Sequence, residues 1–189
     1  MSARDDSERR ASARPASQAD ATSPPETCRS TSLRAPAVIN RKHPIHFAPF
    51  EAYNRSTIIF VTACTASCRK ILATRETHST VVRAWQRAST WLVGRYVIMP
   101  DHLHLFCAPN GIETPSLERW MRYWKSLVTK ALGAKSETVW QRHHWDRQLR
   151  SGESYDSKWE YVRDNPVRHG YVAQIDEWPY QGELNELRW

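Results

Sequence analysis

The chain has 189 residues, of which 40% are hydrophobic, so it is long enough for one domain with a substantial core. Its formal charge of +7 at pH 7 is a modest basic excess, which is compatible with a nucleic-acid partner but does not identify one. No apolar run approaches the ~20 residues that a membrane-spanning helix needs, and the N-terminus lacks the apolar segment of a secretory signal. The four cysteines show the spacing of neither a disulfide framework nor a zinc ribbon, and a cytosolic protein is predicted.

The N-terminal stretch differs in composition from the rest of the chain. Residues 1–36 are rich in serine, alanine, threonine, proline and arginine, and Met1 and Leu33 are their only large apolar residues. Such a segment cannot bury enough apolar surface to offset the entropy of ordering, so a disordered tail is predicted. A single folded domain is predicted over residues 37–189.

The first half of this domain alternates strand and helix patterns. Residues 57–65 are apolar on both faces and β-branched, as expected of a central strand. An apolar period typical of a helix follows over residues 78–91. Two further strands are predicted at 91–99 and 102–108, joined by a short turn.

The second half begins with the clearest helix of the chain, over residues 114–132, with Thr114 as its cap and with Lys125 off its buried apolar stripe. Residues 139–150 are basic and aromatic and are predicted to be extended. A last helix over 153–164 should end near Asp164 or Asn165, because a residue before proline is disfavoured in the α region. The order β-α-β-β-α-β-α predicts an α+β fold with an antiparallel central sheet and helices packed on it.

Two histidines interrupt the apolar segment YVIMPDHLHLFCAP. Side chains alternate along a strand, so His102, His104 and Phe106 should share one face, while Leu103 and Leu105 point to the core. Two neutral imidazoles on one face can share a divalent metal ion. The same pair also fits two hydrogen-bonded histidines on a sheet surface, so it does not establish a metal site by itself.

The last predicted helix supplies candidates for a nucleophile and a third ligand. Tyr161 and Asn165 are four residues apart, so they lie one above the other on a helix face. This face differs from the predicted core face of Tyr155, Trp159 and Val162. Each of the two residues taken alone also fits an ordinary structural role.

Taken in order, the segments YVIMPDHLHLF, VWQRHHWDRQLRS, YVRDNPVRHGYV and EWPYQG resemble the REP-associated tyrosine transposases. These are single-tyrosine transposases of the insertion-sequence type within the HUH group, named for two histidines separated by a bulky hydrophobic residue. The resemblance covers residues 41–189 and implies a ferredoxin-like (RRM-like) HUH endonuclease fold. It also implies that His102, His104 and Asn165 bind the metal and that Tyr161 is the nucleophile. Asp101, where asparagine is frequent in the family, is a small departure outside these positions.

The resemblance further implies a metal-dependent enzyme that cleaves and rejoins single-stranded DNA at hairpin-forming palindromic repeats. The intermediate would be a covalent 5′-phosphotyrosine, and the cofactor one divalent cation, Mg²⁺ or Mn²⁺. Two imidazole ligands suit Mn²⁺ better than Mg²⁺. The expected location is the cytoplasm, in association with the nucleoid. The chain could act as a monomer or as a homodimer.

DNA contacts are predicted from basic and aromatic side chains near these motifs, because cations bind phosphates and rings stack on unpaired bases. The predicted contacts are Arg122, Lys125, Trp140, Arg142, His143, His144, Arg147, Arg150, Arg163 and Arg168, and Trp145 is a further ring available for stacking. Many of these charges also fit an ordinary solvated surface.

Two other functions fit parts of the sequence. One is a domesticated, non-catalytic regulator that binds DNA hairpins, against which the complete set of metal-ligand and nucleophile candidates argues. The other is a structural metal site in a small RNA-binding protein. That site would need further ligands, for which Cys64 and Cys68 are the nearest candidates.

Overall fold

A computed structural model of the chain describes residues 57–133, 139–149 and 155–187. The tail predicted over residues 1–36 and the predicted start of the domain at residue 37 lie outside the described residues, so both stay predictions. Within the described part, no helix is long and apolar enough to cross a lipid bilayer.

The centre of the fold is one five-stranded sheet in which every neighbouring pair is antiparallel. Its strands are β1 (Ile59–Cys64), β2 (Trp91–Ile98), β3 (His102–Pro109), β4 (Trp145–Gln148) and β5 (Gln181–Glu183). The order across the sheet is β4-β1-β3-β2-β5. β3 therefore lies in the middle, and its residues are buried from both faces.

The helices of the described residues are α1 (Arg75–Arg87), α2 (Leu117–Ala131), α3 (Tyr155–Arg163) and the short α4 (Asn165–Arg168). The succession β1-α1-β2-β3-α2-β4 with the strand order 4-1-3-2 is the ferredoxin-like arrangement. The predicted α+β fold with an antiparallel sheet is thus confirmed. Strand β5, which pairs with β2, was not predicted because its three residues, QGE, carry no apolar pattern.

Helices α1 and α2 lie side by side on one face of the sheet, hereafter the tryptophan face. Trp85 of α1 meets Trp124 of α2 edge to face, with ring centroids 5.9 Å apart. Leu103 and Leu105 of β3 are fully buried in the same cluster. The indole nitrogen of Trp120 donates to a backbone carbonyl on α1 at 2.7 Å, so this buried polar group is satisfied. This layer is a closed apolar core.

Helix α3 and the C-terminal segment cover the opposite face, hereafter the histidine face. Phe60 of β1 and Phe106 of β3 are 5.1 Å apart between ring centroids, and Tyr155 of α3 meets Phe106 at 4.8 Å. The indole nitrogen of Trp178 donates to the carbonyl of Ile98 at 3.0 Å and fastens the C-terminal segment to β2. This second cluster fixes the position of α3 relative to β3.

Two helix starts differ from the predictions, and in both cases a hydrogen bond gives the reason. α1 begins at Arg75 rather than at residue 78, because the Thr74 side chain accepts a backbone hydrogen bond and caps the helix. The cap of α2 is Ser116, so the prediction of Thr114 is wrong. The Thr114 hydroxyl instead donates to the carbonyl of Gly111 at 2.7 Å, within the turn before the helix.

Candidate active site

The two histidines form one buried cluster on the histidine face. The rings of His102 and His104 meet edge to face with centroids 4.8 Å apart, and the side chains are only 2% and 5% exposed. Phe60, on the neighbouring strand, stacks on His104 at 5.5 Å. The alternation predicted for β3 is therefore present, with both imidazoles opposite the leucines. The pair is interior, which distinguishes it from two solvated histidines on a sheet surface.

Each imidazole is oriented by a hydrogen bond at its Nδ1 atom. His104 Nδ1 lies 2.9 Å from the Thr62 hydroxyl, and the sheet register places Thr62 directly opposite it on β1. His102 Nδ1 lies 2.7 Å from a carboxylate oxygen of Asp101. With Nδ1 held in both rings, Nε2 is the nitrogen left to bind a metal. Asp101, which differs from the asparagine frequent in the family, thus has a positioning role here.

The surroundings disfavour the protonated form of both imidazoles. Burial, reinforced by the nearby charges of His102, Lys158 and His169, holds the pKa of His104 well below its ordinary value. Burial also lowers the pKa of His102, although the Asp101 carboxylate opposes this effect. Burial acts to raise the pKa of Asp101, but the hydrogen bond to His102, together with the charges of His102 and Lys70 and a backbone hydrogen bond, outweighs this, so the pKa is lowered. Neutral imidazole is the form that binds divalent metals.

Tyr161 lies on the solvent side of α3 and is 38% exposed. Its phenol oxygen accepts a hydrogen bond of 3.2 Å from Arg168, whose guanidinium carbon lies 4.4 Å from the ring centroid. Lys158, almost one turn earlier on α3, places Nζ 5.7 Å from the same centroid. The contrast with Tyr155 on the same helix is large, because Tyr155 is buried and accepts a hydrogen bond from the backbone of Arg95. Of these two tyrosines, Tyr161 is the one that presents its oxygen among cations near the surface.

Lys158 connects the tyrosine to the histidine cluster. Its Nζ lies 5.5 Å from the ring centroid of Phe60, which in turn stacks on His104. The phenol of Tyr161 and the two imidazoles therefore belong to one face, with the Lys158 ammonium and the Phe60 ring between them. The phenol oxygen is hydrogen-bonded to Arg168 and not to either imidazole.

Helix α3 ends at Arg163, and after Asp164 the chain continues as α4, whose first residue is Asn165. Asn165 is therefore helical although it precedes a proline, which differs from the prediction that the helix ends there because of the proline. Its side chain is 8% exposed, which places it in the interior. Its carbonyl accepts a hydrogen bond of 2.9 Å from the backbone of His169, one turn later. Because the charge of His169 acts on both imidazoles of the cluster, α4 approaches the histidine pair.

The donor set fits a metal only together with oxygen ligands. Among the described residues, no three His, Cys, Asp or Glu side chains converge in a way that could hold a metal ion. Two imidazoles with the amide oxygen of Asn165, water and a phosphate oxygen make a mixed nitrogen and oxygen set, which suits Mn²⁺ and is acceptable to Mg²⁺. The register pairs Cys64 with His102, but among the described residues no group of three such ligands that includes this cysteine could hold a metal.

Some of the predicted DNA contacts lie on the histidine face. The register pairs Trp145 with Thr62 and Arg147 with Phe60, so the side chains of this part of β4 point to the same side as the imidazoles. The half-buried ring of Trp145 meets the Phe60 ring edge to face at 5.7 Å. Trp145 is therefore a better placed candidate for base stacking than the other tryptophan predicted nearby.

The remaining basic candidates near β4 and α3 have mixed surroundings. Arg142 and His143 are exposed before β4 begins, and His144 Nε2 lies 3.6 Å from a carboxylate oxygen of Asp146. Arg163 lies 3.6 Å from Glu160 and 3.5 Å from Asp176, so two carboxylates already compensate its charge. Arg150 lies outside the described residues.

Three predicted DNA contacts lie away from the histidine cluster. Arg122 is exposed on α2, which covers the opposite face of the sheet. Lys125, expected off the buried stripe of α2, is only 7% exposed; its Nζ donates to the carbonyl of Gln141 at 3.3 Å and lies 5.7 Å from the Trp140 ring. That expectation is wrong because the lysine stem packs in the interior while the ammonium finds a backbone acceptor. The burial of Lys125 and Trp140 weighs against DNA contact by either.

The sequence interpretation missed three neighbours of the site. Lys158 precedes Tyr161 by three residues, a helix spacing that could have drawn attention to it. His169 follows Asn165 by four residues and carried the same signal. Thr62 could not have been found, because its position opposite His104 depends on the strand register.

No family model matches the chain. A REP-associated tyrosine transposase of Escherichia coli (strain K12) is 34% identical over 89 residues, which are 47% of this chain and 52% of that protein. A putative REP-associated tyrosine transposase of Haemophilus influenzae is 28% identical over 104 residues, 48% of this chain and 58% of that protein. The chain thus spans about half the length of the curated relatives it matches.

One solved structure with a similar fold is a REP-associated tyrosine transposase bound to a REP hairpin. The TM-score is 0.56 with 23% sequence identity, over 71% of this chain and 82% of that chain. This likeness establishes the fold, while the curated relatives carry the similarity in sequence. The similarity of this chain to the REP-associated tyrosine transposases, predicted from the order of its motifs, is confirmed.

Proposed function

We propose that the chain is a metal-dependent transposase that cleaves and rejoins single-stranded DNA at hairpin-forming repeats, with Tyr161 as its nucleophile. One observation carries this proposal. The sheet face that buries the neutral pair His102 and His104 is also the face covered by the tyrosine helix, with the Lys158 ammonium between. The relatives are named transposases, and one was solved with a REP hairpin, which supports DNA hairpins as the substrate class.

The proposed step is a transesterification. The phenol oxygen of Tyr161 attacks phosphorus, and a new O–P bond forms as the bond to the 3′-oxygen breaks. The phenol proton passes to water, and the departing 3′-oxygen takes up a proton. The 5′-phosphate stays on the tyrosine until a 3′-hydroxyl attacks it, which restores the phenol and joins the strands. Because each transfer exchanges one phosphoester for another, no nucleotide cofactor is needed.

A single Mg²⁺ or Mn²⁺, held by His102, His104 and the amide oxygen of Asn165, would supply Lewis-acid stabilisation of the charge on the scissile phosphate. The other roles belong to the chain. Thr62 and Asp101 hold the imidazoles in the orientation that leaves Nε2 for the metal. We place the reaction in the cytoplasm, at the nucleoid, where the DNA substrate is found.

The test is the covalent adduct itself. The chain is incubated with Mn²⁺ and a pool of fluorescent hairpin oligonucleotides that have randomised single-stranded flanks. A covalent fluorescent adduct with the protein should form and should survive denaturing electrophoresis. Tyr161→Phe should give no adduct but bind the hairpins with unchanged affinity. Tyr123→Phe is the matched control, because Tyr123 is also an exposed helix tyrosine and lies on α2.

Two outcomes contradict the proposal. A persistent adduct in Tyr161→Phe would exclude this tyrosine as the nucleophile. Binding of hairpins by the wild-type chain without an adduct, in Mn²⁺ and in Mg²⁺, would favour the non-catalytic regulator instead.

A further inference from the structure

Two cations, Lys158 and Arg168, flank Tyr161, and neither pairs with a carboxylate among the described residues. In this part of the chain, the Lys158 side chain forms no hydrogen bond or ion pair, and the Arg168 guanidinium donates only to the Tyr161 phenol. Arg163, on the same helix as Lys158, differs in having Glu160 and Asp176 nearby. The uncompensated positive charge is thus concentrated at the tyrosine rather than spread along α3.

The surroundings of the Lys158 ammonium are unusual for a lysine. Its side chain is half-buried, and Nζ lies between two aromatic rings, 5.5 Å from the centroid of Phe60 and 5.7 Å from that of Tyr161. Cation–π contacts of this kind contribute about 0.5–2 kcal/mol but offer no oxygen acceptor to the three ammonium hydrogens. The ammonium can therefore donate a hydrogen bond to an anionic oxygen without breaking an existing salt bridge.

This location matches what the proposed reaction requires. The scissile phosphodiester must meet the phenol oxygen of Tyr161 on one side and a metal at His102 and His104 on the other. Lys158 lies between these two groups, because the Phe60 ring that it contacts stacks on His104. Negative charge on the phosphate oxygens is stabilised best by preorganised cations at this point.

We propose that Lys158 is a catalytic residue whose ammonium binds a non-bridging oxygen of the scissile phosphodiester, while Arg168 holds the phenol oxygen of Tyr161. The inference rests on the proposed function and adds a phosphate subsite that belongs to the protein and is distinct from the metal ligands. The flexible four-carbon stem of Lys158 lets Nζ move from the two rings to the phosphate without displacement of α3.

The first experiment compares rates of adduct formation in single turnovers, at saturating hairpin DNA and Mn²⁺. Lys158→Met should lower the rate by about 100-fold, the effect typical of one lost transition-state donor. The dissociation constant of the hairpin should change by less than about threefold, because most DNA phosphates are bound elsewhere. Lys158→Arg keeps the charge and should retain at least roughly a tenth of the rate.

The matched control is Lys130→Met, which removes one exposed lysine from α2 on the opposite face of the sheet. Its rate should equal that of the wild type, so a loss confined to Lys158→Met is not an effect of net charge. Thermal unfolding of each variant checks the fold, and Lys158→Gln provides a second uncharged replacement with a polar end.

A second measurement identifies the phosphate. The scissile phosphodiester is first mapped with the wild-type chain. Binding affinity is then measured in a Tyr161→Phe background, where no reaction occurs. Two hairpin DNAs are compared, one with the scissile phosphodiester intact and one with a neutral methylphosphonate in its place. Lys158→Met should weaken binding of the intact DNA slightly, by about twofold to threefold, because one of many phosphate contacts is lost, and leave binding of the methylphosphonate DNA unchanged. Equal weakening of both DNAs would overturn the inference.

The outcomes separate this inference from the function on which it rests. An adduct lost in Tyr161→Phe but formed at the wild-type rate in Lys158→Met overturns the role of Lys158 alone. An adduct that persists in Tyr161→Phe overturns the proposed nucleophile. A wild-type chain that binds hairpins and forms no adduct overturns both.

Discussion

The two faces of the sheet are made from the same strands but bury different chemistry. On the tryptophan face, β3 contributes Leu103 and Leu105 to a cluster of aliphatic and indole side chains. On the histidine face, the same strand contributes His102 and His104 to a site with a phenol and two cations nearby. One strand serves both, because successive side chains of a strand point to opposite sides of a sheet.

The polar groups of the two faces are also used differently. On the tryptophan face, the indole of Trp120 and the ammonium of Lys125 donate to backbone carbonyls and so complete the packing. On the histidine face, Thr62 holds a side chain in a chosen orientation, and Lys158 has no polar partner among the described residues. We therefore expect substitutions on the first face to change stability and substitutions on the second to change metal binding and rate.

The largest effect that separates the faces is expected from neighbouring residues of β3. His104→Ala should abolish Mn²⁺ binding measured by titration calorimetry and lower the rate of adduct formation on the order of 10³-fold, since a Lewis-acid metal supplies several kcal/mol. Leu105→Ala is the control on the other face. It should lower the free energy of unfolding by about 2–5 kcal/mol and leave Mn²⁺ affinity unchanged in the folded chain. Unaltered Mn²⁺ binding by His104→Ala would contradict the assignment of metal binding to the histidine face.

A pH-dependent effect is expected from Lys125, the buried ammonium on the tryptophan face. Burial lowers its pKa from 10.5 to about 8, so between these values the unfolded chain binds more protons than the folded chain. The free energy of unfolding due to this group therefore rises with pH across that window, and the full penalty of the buried charge is present below about pH 8.

Relative to the wild type, Lys125→Met should thus be most stabilised near neutral pH, and its advantage should shrink by about 3 kcal/mol as the pH approaches 10.5. Urea denaturation at several pH values measures the difference. The comparison belongs in a Cys64→Ser background, because the Cys64 thiol, whose pKa burial raises, interacts with this ammonium. A constant difference across this range would exclude titration of Lys125 there.

The smallest effect tests the orientation of one imidazole. Thr62→Val keeps the shape of the side chain but removes the hydroxyl that lies 2.9 Å from His104 Nδ1. Outer partners of metal-binding histidines typically contribute 10- to 100-fold in affinity or activity, so a loss of about this size in Mn²⁺ affinity is expected. Thr129→Val removes a buried hydroxyl bonded to the α2 backbone, and it should leave Mn²⁺ affinity unchanged.

Local pattern was sufficient for most elements and for the division of β3 into two faces. It failed where a tertiary contact decided the outcome. Lys125 follows Trp124 along α2 and was expected on the surface, but a backbone carbonyl from a distant segment accepts its ammonium and permits burial. The short strand β5 forms because β2 offers a free edge, and nothing in its own composition indicates a strand.

By itself, the sequence determined the order of the elements up to α3 and the shared face of His102 and His104, because these depend on the periods of strands and helices. The short helix α4, which places Asn165 on a separate helix from Tyr161, was not predicted. Only the tertiary structure decided that Thr62 lies opposite His104 and that the ammonium of Lys158 separates the tyrosine from the histidine cluster. Register and helix docking join residues far apart in the chain, and they are fixed by packing across the whole sheet rather than by any local pattern.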